Sequence, residues 1–254
     1  MSDEKTAETI GASESADMSF LERLSGIYME PARTFRSIDR RPAWLGMFLI
    51  VCAMAIAVTY VLTSRIDRET MIRKQMQSSS IARIFTQNMT EEQLQAAASR
   101  PETAFERYGR PVFIVIGAFV TYAILAGIFL LLATIMGASI PFKKSLAVTL
   151  WSFGPPGIIV SILSVIFMLV KDPQTLDINP ANNVVSSLGM LVSASEHPKL
   201  ASLLSSVDLF SIWTICLLAI GFAACSRGKL TTRKAATGIV VLWLLYVAGK
   251  TLLA

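Results

Sequence analysis

The chain has 254 residues, 53% of them hydrophobic and only 16% charged, with a formal net charge of +5. Soluble domains carry roughly a quarter charged residues, so this balance excludes an ordinary soluble globular protein and points to a bilayer.

Residues 1–17 are rich in Ser, Ala, Thr and acids, with Ile10 as the lone branched aliphatic residue. That is too little apolar surface to offset the entropy of ordering, and the segment reads as a disordered tail. The character changes at Ser19, which with Glu22 forms an S-x-x-E capping box at a helix start. Phe20, Leu21, Leu24, Ile27 and Tyr28 then share one helical face, with Glu22, Arg23 and Ser25 off it. Pro31 opens a second short helix in which Phe35 and Ile38 oppose Arg33, Arg36, Arg40 and Arg41. Residues 18–42 are therefore expected to be a pair of amphipathic cytoplasmic helices. They either lie along anionic headgroups, gaining about 1 kcal/mol per basic residue near the surface, or pack over the end of a helical bundle.

Five stretches contain no Asp, Glu, Lys, Arg or His: 43–63, 111–142, 145–170, 209–226 and 235–249. About 20 apolar residues cross roughly 30 Å of hydrocarbon as a helix. The chain reads as an all-α integral membrane protein with five transmembrane helices, near 43–63, 111–136, 145–170, 207–226 and 235–253, and short interfacial helices. The last span requires Lys250 to snorkel its amine to the interface. Cys52, Cys216 and Cys225 fall in or at the end of apolar stretches without CxxC or Cys/His spacing, and are expected to pack between helices.

Two loops carry helical signals of their own. In 64–110 these are Ile66, Met71, Ile81, Ile84 and Phe85, then a second capping box at Thr90 and Gln93 that Arg100–Pro101 closes. That loop is either a solvated spacer or a partner-binding module. In 171–206, Asp-Pro and Asn-Pro turns precede Val184, Val185, Leu188, Leu191 and Val192 at helical spacing, and Pro198 opens a further short helix with Leu200, Leu203 and Leu204. Five spans put the termini on opposite sides. With the N-terminus inside, Lys and Arg divide twelve inside to eleven outside, and the eight in the first loop account for most of the outside count. Setting that loop aside leaves a clear excess inside and favours a cytoplasmic N-terminus.

The residues with potential chemistry are few. Gly154, Pro155, Pro156 and Gly157 stand near mid-depth in the third span. Two prolines there remove backbone donors facing the carbonyls of Trp151 and Ser152, predicting a break or kink. Freed carbonyls can coordinate an ion or substrate, or the bend can serve shape alone. Asp208 precedes the fourth span as a helix cap or, alternatively, a ligand-binding group. His197, the only histidine, has no evident partner in its loop. Ser/His/Asp, HExxH and Walker patterns are absent, so no catalytic, cofactor or metal set is proposed. The basic run Arg227–Lys234 reads as a cytoplasmic anchor, with no nucleic acid implied.

Several segments together resemble the Yip family of membrane proteins, named for interacting with Ypt/Rab GTPases, and in particular its bacterial branch. They are Pro31-Ala32-Arg33-Thr34-Phe35 with Pro42 and Trp44; Trp151-Ser152-Phe153-Gly154-Pro155-Pro156; Val207-Asp208-Leu209-Phe210-Ser211-Ile212-Trp213; then Ile220-Gly221, Lys229-Leu230, Lys234-Ala235 and Trp243. The resemblance implies a five-helix bundle with a cytoplasmic N-terminus in a bacterial inner membrane, and for eukaryotic members binding to Rab-type GTPases. Bacteria lack Rab proteins, and the long charged first loop departs from the eukaryotic pattern, so no binding residue is transferred. The expected function is a non-enzymatic scaffold or adaptor contacting lipid, other membrane proteins or further copies of itself. The alternative is a transporter or channel component that uses the Gly-Pro-Pro-Gly segment.

Overall fold

The protein is described by a computed structural model over residues 18–78, 92–93, 96, 99–100, 103–184 and 198–252. Helices α1 (Phe20–Met29) and α2 (Pro31–Arg40) form a hairpin. They are followed by α3 (Leu45–Arg65), α4 (Arg68–Ser78), α5 (Ala104–Ile135) and α6 (Phe142–Val170). Two 3-10 turns, Pro173–Thr175 and Pro180–Asn183, lead to α7 (Pro198–Ser205), α8 (Leu209–Cys225) and α9 (Thr232–Leu252). No β-strand occurs among the described residues. The tail 1–17, residues 79–91 and residues 185–197, with the expectations placed on them, lie outside the described set.

Four helices, α3, α5, α6 and α9, are long and apolar enough to cross a membrane, and α8 is apolar but shorter at 17 residues. At about 1.5 Å per residue α8 measures roughly 26 Å, just under the hydrocarbon thickness. The chain is thus an all-α membrane protein. The sequence made the last span the weakest, yet α9 runs 21 residues. Its Lys250 amine donates to the hydroxyls of Ser205 (3.1 Å) and Ser206 (3.2 Å) at the α7–α8 junction. The charge therefore ends on polar groups, which is what allows the apolar run to continue past it.

Local rules explain the helix ends. Ser19 and Glu22 close the predicted capping box of α1. A second box, Thr103 with Glu106, starts α5 two turns before the apolar run begins. Gly137, at φ +88°, ends α5 in a left-handed turn in which Ala138 N–H reaches back to the Ala133 carbonyl (2.9 Å).

α6 is the central helix and touches α2, α3, α5 and α8. Every residue from Ser145 to Ser152 is buried, which is the signature of a helix surrounded on all sides. The sequence predicts a break or kink at Pro155-Pro156, but α6 continues through both as one α-helix, so the break is not there. Neighbours press on this stretch from several sides and hold the backbone helical despite two missing donors.

The α1–α2 hairpin packs on the bundle, against α6 and α8, rather than lying apart on a membrane surface. Ile27, Phe35 and Ile38 are fully buried in the main core. The Phe35 ring presses on Gly221 of α8, where an added Cβ would come within 2.9 Å of it and 2.6 Å of Val148. Deleting a buried aromatic ring costs about 3–5 kcal/mol. Phe35→Ala is therefore expected to lower thermal stability in detergent strongly, and Gly221→Leu to do the same by overpacking. Ala53→Leu, on an exposed face of α3, should stay within about 0.5 kcal/mol of the parent. Equal melting curves for Phe35→Ala and Ala53→Leu would rule this packing out.

Candidate functional site: the hairpin tip at the double proline

Of the residues singled out by sequence, the hairpin brings two together. Tyr28, at the end of α1, donates its hydroxyl to the Pro155 carbonyl (3.4 Å) and stacks at a tilt on Trp213, with ring centroids 5.5 Å apart. Burial pushes the Tyr28 phenol up from its ordinary value, so it stays protonated and remains a donor. The bond goes to Pro155 itself and not to the carbonyls of Trp151 and Ser152 that the prolines deprive of partners.

Around the prolines the interior is packed. Gly154 lies against Met47 of α3, whose Sδ would stand 2.5 Å from a Cβ added there. Gly154, Pro155 and Pro156 are buried, while Gly157 is exposed, and a Cβ added there would meet no atom within 4 Å among the described residues. One turn back, the Trp151 indole donates to the Ala43 carbonyl (2.8 Å), tying α6 to the start of α3, and its ring meets Phe20 at 5.4 Å. The Ser152 hydroxyl is fully buried and has no hydrogen-bond partner among the described residues.

Asp208 caps α8. Its carboxylate accepts the backbone N–H groups of Phe210 (2.8 Å) and Ser211 (3.0 Å) and the Ser211 hydroxyl. Those contacts use both carboxylate oxygens on the helix's own start.

Three polar residues that position the hairpin escaped the sequence reading. Arg23, assigned to the outer face, is buried; its guanidinium donates to Ser37 Oγ (3.2 Å) and the Arg41 carbonyl (3.0 Å), clamping α1 to the end of α2. Leu21, assigned to the inner face, is 73% exposed. The signal was available: Arg23 stands three after Phe20 and four before Ile27, on the stripe that α1 buries. Asp39 and Lys144 form a mostly buried ion pair joining α2 to the start of α6.

At the opposite end, cations of the first loop serve the neighbouring turn. Arg65 donates to the carbonyls of Leu169 (3.5 Å) and Lys171 (3.2 Å), and Lys74 to those of Gln174 (2.8 Å) and Leu176 (2.5 Å). Arg68 pairs with Glu106 at 3.1 Å. The Thr103 backbone N–H, followed by the Thr103 hydroxyl and Arg68, holds the Glu106 carboxyl below the usual range. The three cysteines are free, Cys52 and Cys225 buried and Cys216 exposed on α8. No cluster of His, Cys, Asp or Glu suited to a metal occurs among the described residues. The site is built from aromatic, apolar and backbone groups packed against one another.

Comparison with known proteins agrees with this architecture. Residues 25–252 match the family described as the Yip1 domain. The chain is 28% identical over 200 residues to the protein named membrane protein YknW of Bacillus subtilis (strain 168), covering 78% of this chain and 76% of that one. No solved structure matches significantly. With nearly its whole length matched, this chain belongs to the Yip1 domain family of membrane proteins.

Proposed function

We propose that this chain is a non-enzymatic scaffold or adaptor of a bacterial plasma membrane, gathering other membrane proteins or further copies of itself through helix contacts within the bilayer. The observation that carries this reading is the uneven burial of the spans. In its most apolar window α5 is 11% buried, against 28% for α3 and for α6. Ile116, Phe119, Val120, Ile124, Ile128 and Leu131 of α5 all face outward. Lipid offers no hydrophobic gain for hiding such a face, so association within the bilayer rests on close fit and dispersion. A span held so little by its own chain leaves most of its surface for a neighbouring helix. A transporter reading needs a hydrated opening at Gly154–Gly157, and the burial of Gly154, Pro155 and Pro156 gives it nothing to rest on.

A photocrosslinking residue placed at Ile124 or Ile128 in intact membranes should give a discrete protein adduct that the same probe at Ile166, outward on α6, does not give. Lipid adducts alone at all three positions would end the scaffold reading.

The same proposal places the N-terminus in the cytoplasm. It draws support from the work assigned to the first loop's cations, since Arg65, Arg68 and Lys74 are engaged by backbone carbonyls or Glu106. Their number then reports local structure as well as sidedness. A single cysteine at Ser13 should label only from the cytoplasmic side and one at Glu69 only from the other, in a background without Cys52, Cys216 and Cys225. Labelling of Ser13 from the outer face and of Glu69 from the cytoplasmic face would reverse the assignment.

A further inference from the structure

The end of the bundle where α5 finishes and α6 begins is strongly basic. Segments 18–44, 137–145 and 226–235 meet there, and together they hold eleven Lys and Arg side chains against three carboxylates, a net charge of +8. The fold brings the three segments to one place. The Asp39–Lys144 pair joins α2 to α6, Gly238 of α9 lies against Met136 at the end of α5, and Ile38, Ile140, Leu230 and Ala235 share one core. All three carboxylates are spent locally: Glu22 closes the α1 cap, Glu30 pairs with Arg33 at 3.2 Å, and Asp39 holds Lys144. Arg36 and Arg40 on α2, Arg227 and Lys229 on the α8–α9 turn, and Arg233 and Lys234 on α9 are all exposed, and these segments contain no further carboxylate to meet them. The opposite end differs, because its Arg65 and Lys74 are taken up by backbone carbonyls and its Arg68 by Glu106.

The outward flank of α2 also stands at headgroup level. α3 begins level with Trp151, whose indole donates to the Ala43 carbonyl at 2.8 Å. α6 begins nine residues before Trp151, at Phe142, roughly 14 Å further out at about 1.5 Å per residue. The hairpin fills that step beneath α3, with the Phe20 ring against Trp151 at 5.4 Å. Leu45 and Leu49, 54% and 58% exposed, begin the apolar surface of α3, so the polar boundary of the bilayer on this side falls at Trp44, a residue type that favours the interface. Headgroups at that boundary lie beside α2, which buries Phe35 and Ile38 and turns Arg36 and Arg40 outward. We infer that this shelf, made of the outer flank of α2 with the α8–α9 turn and the start of α9, binds the phosphate headgroups of anionic phospholipids in the leaflet it meets. Charge complementarity selects the class: a zwitterionic headgroup has no net charge to offer a surface of +8, whereas an anionic one is drawn to each exposed cation. The basic side of the hairpin thereby acquires a ligand although its apolar side is spent on the bundle, and the inference is independent of the scaffold reading.

The test is lipid retention by the full-length protein released from nanodiscs of equal parts phosphatidylcholine and phosphatidylglycerol, read by native mass spectrometry. The parent protein should retain phosphatidylglycerol preferentially. Arg36→Gln with Arg40→Gln, and separately Arg233→Gln with Lys234→Gln, should each lower that preference by about fivefold or more, fivefold being the step for one basic residue at a lipid surface. All four positions are exposed, and an unchanged melting temperature shows each variant folded. Arg36→Lys with Arg40→Lys keeps the charge and should keep the preference. Arg68→Gln with Arg73→Gln, at the opposite end and paired with Glu106 and Glu69, should also leave it unchanged. Equal retention of the two lipids by the parent, an unchanged preference in both Gln pairs at the shelf, or an equal loss in the opposite-end pair would each overturn the assignment. Displacement of bound phosphatidylglycerol by inorganic phosphate would show a free-anion site and overturn it. A preference that emerges only after Glu8→Gln with Glu14→Gln would assign the shelf to the chain's own acidic N-terminal segment and overturn it too.

Discussion

The contact between Phe35 and the bare backbone of α8 at Gly221 sets the geometry of one whole end of the molecule. A ring can lie that close to a helix axis only where no side chain intervenes. Once it does, α2 is held alongside α8 and the start of α6, and α2 brings α1 with it through the buried Arg23. The hairpin then places Tyr28 between Pro155 and Trp213, and the Asp39–Lys144 pair fixes its other end. A buried ion pair of this kind adds little net stability over an apolar substitute. Leaving either partner alone is costly, so it serves register more than strength. The amphipathic pattern of residues 20–40 is thus satisfied inside the protein, with its basic side left outward.

The same economy of polar groups appears at the opposite end. Within a bilayer every backbone group needs a partner, and where α6 ends the chain must expose carbonyls. Arg65, Lys74 and Lys171 supply the donors, Lys171 reaching the Asn183 carbonyl at 3.2 Å. A cation that caps carbonyls sits where the fold needs it.

Fold class and most helix boundaries were legible because the signals are local. Charge-free runs mark α3, α5, α6 and α9, the capping box at Ser19 starts α1, and Asp208 caps α8 as its position before an apolar run suggested. Family membership was legible in the order of several modest motifs. What stayed hidden depends on tertiary partners. Arg23 lies on the stripe that α1 buries, but the groups that satisfy its guanidinium, Ser37 and the Arg41 carbonyl, arrive only from the next helix. Two adjacent prolines predict a broken helix by local rules, yet packing by Met47 and the hairpin keeps α6 continuous. Tyr28 looked like one more apolar-face residue, and only the fold makes it the link between Pro155 and Trp213. The pairing of Asp39 with Lys144 spans too much sequence for spacing to reveal it.

The α1–α2 hairpin is a structural part of the bundle and not an appendage on the membrane surface. Amide hydrogen exchange of the protein in lipid nanodiscs tests it most directly. The amides of Phe35 to Ile38 should be protected to the same degree as those of α8 around Gly221, since opening one requires opening the other. Exchange across α2 at the rate of a solvated surface helix, with α8 still protected, would contradict the account.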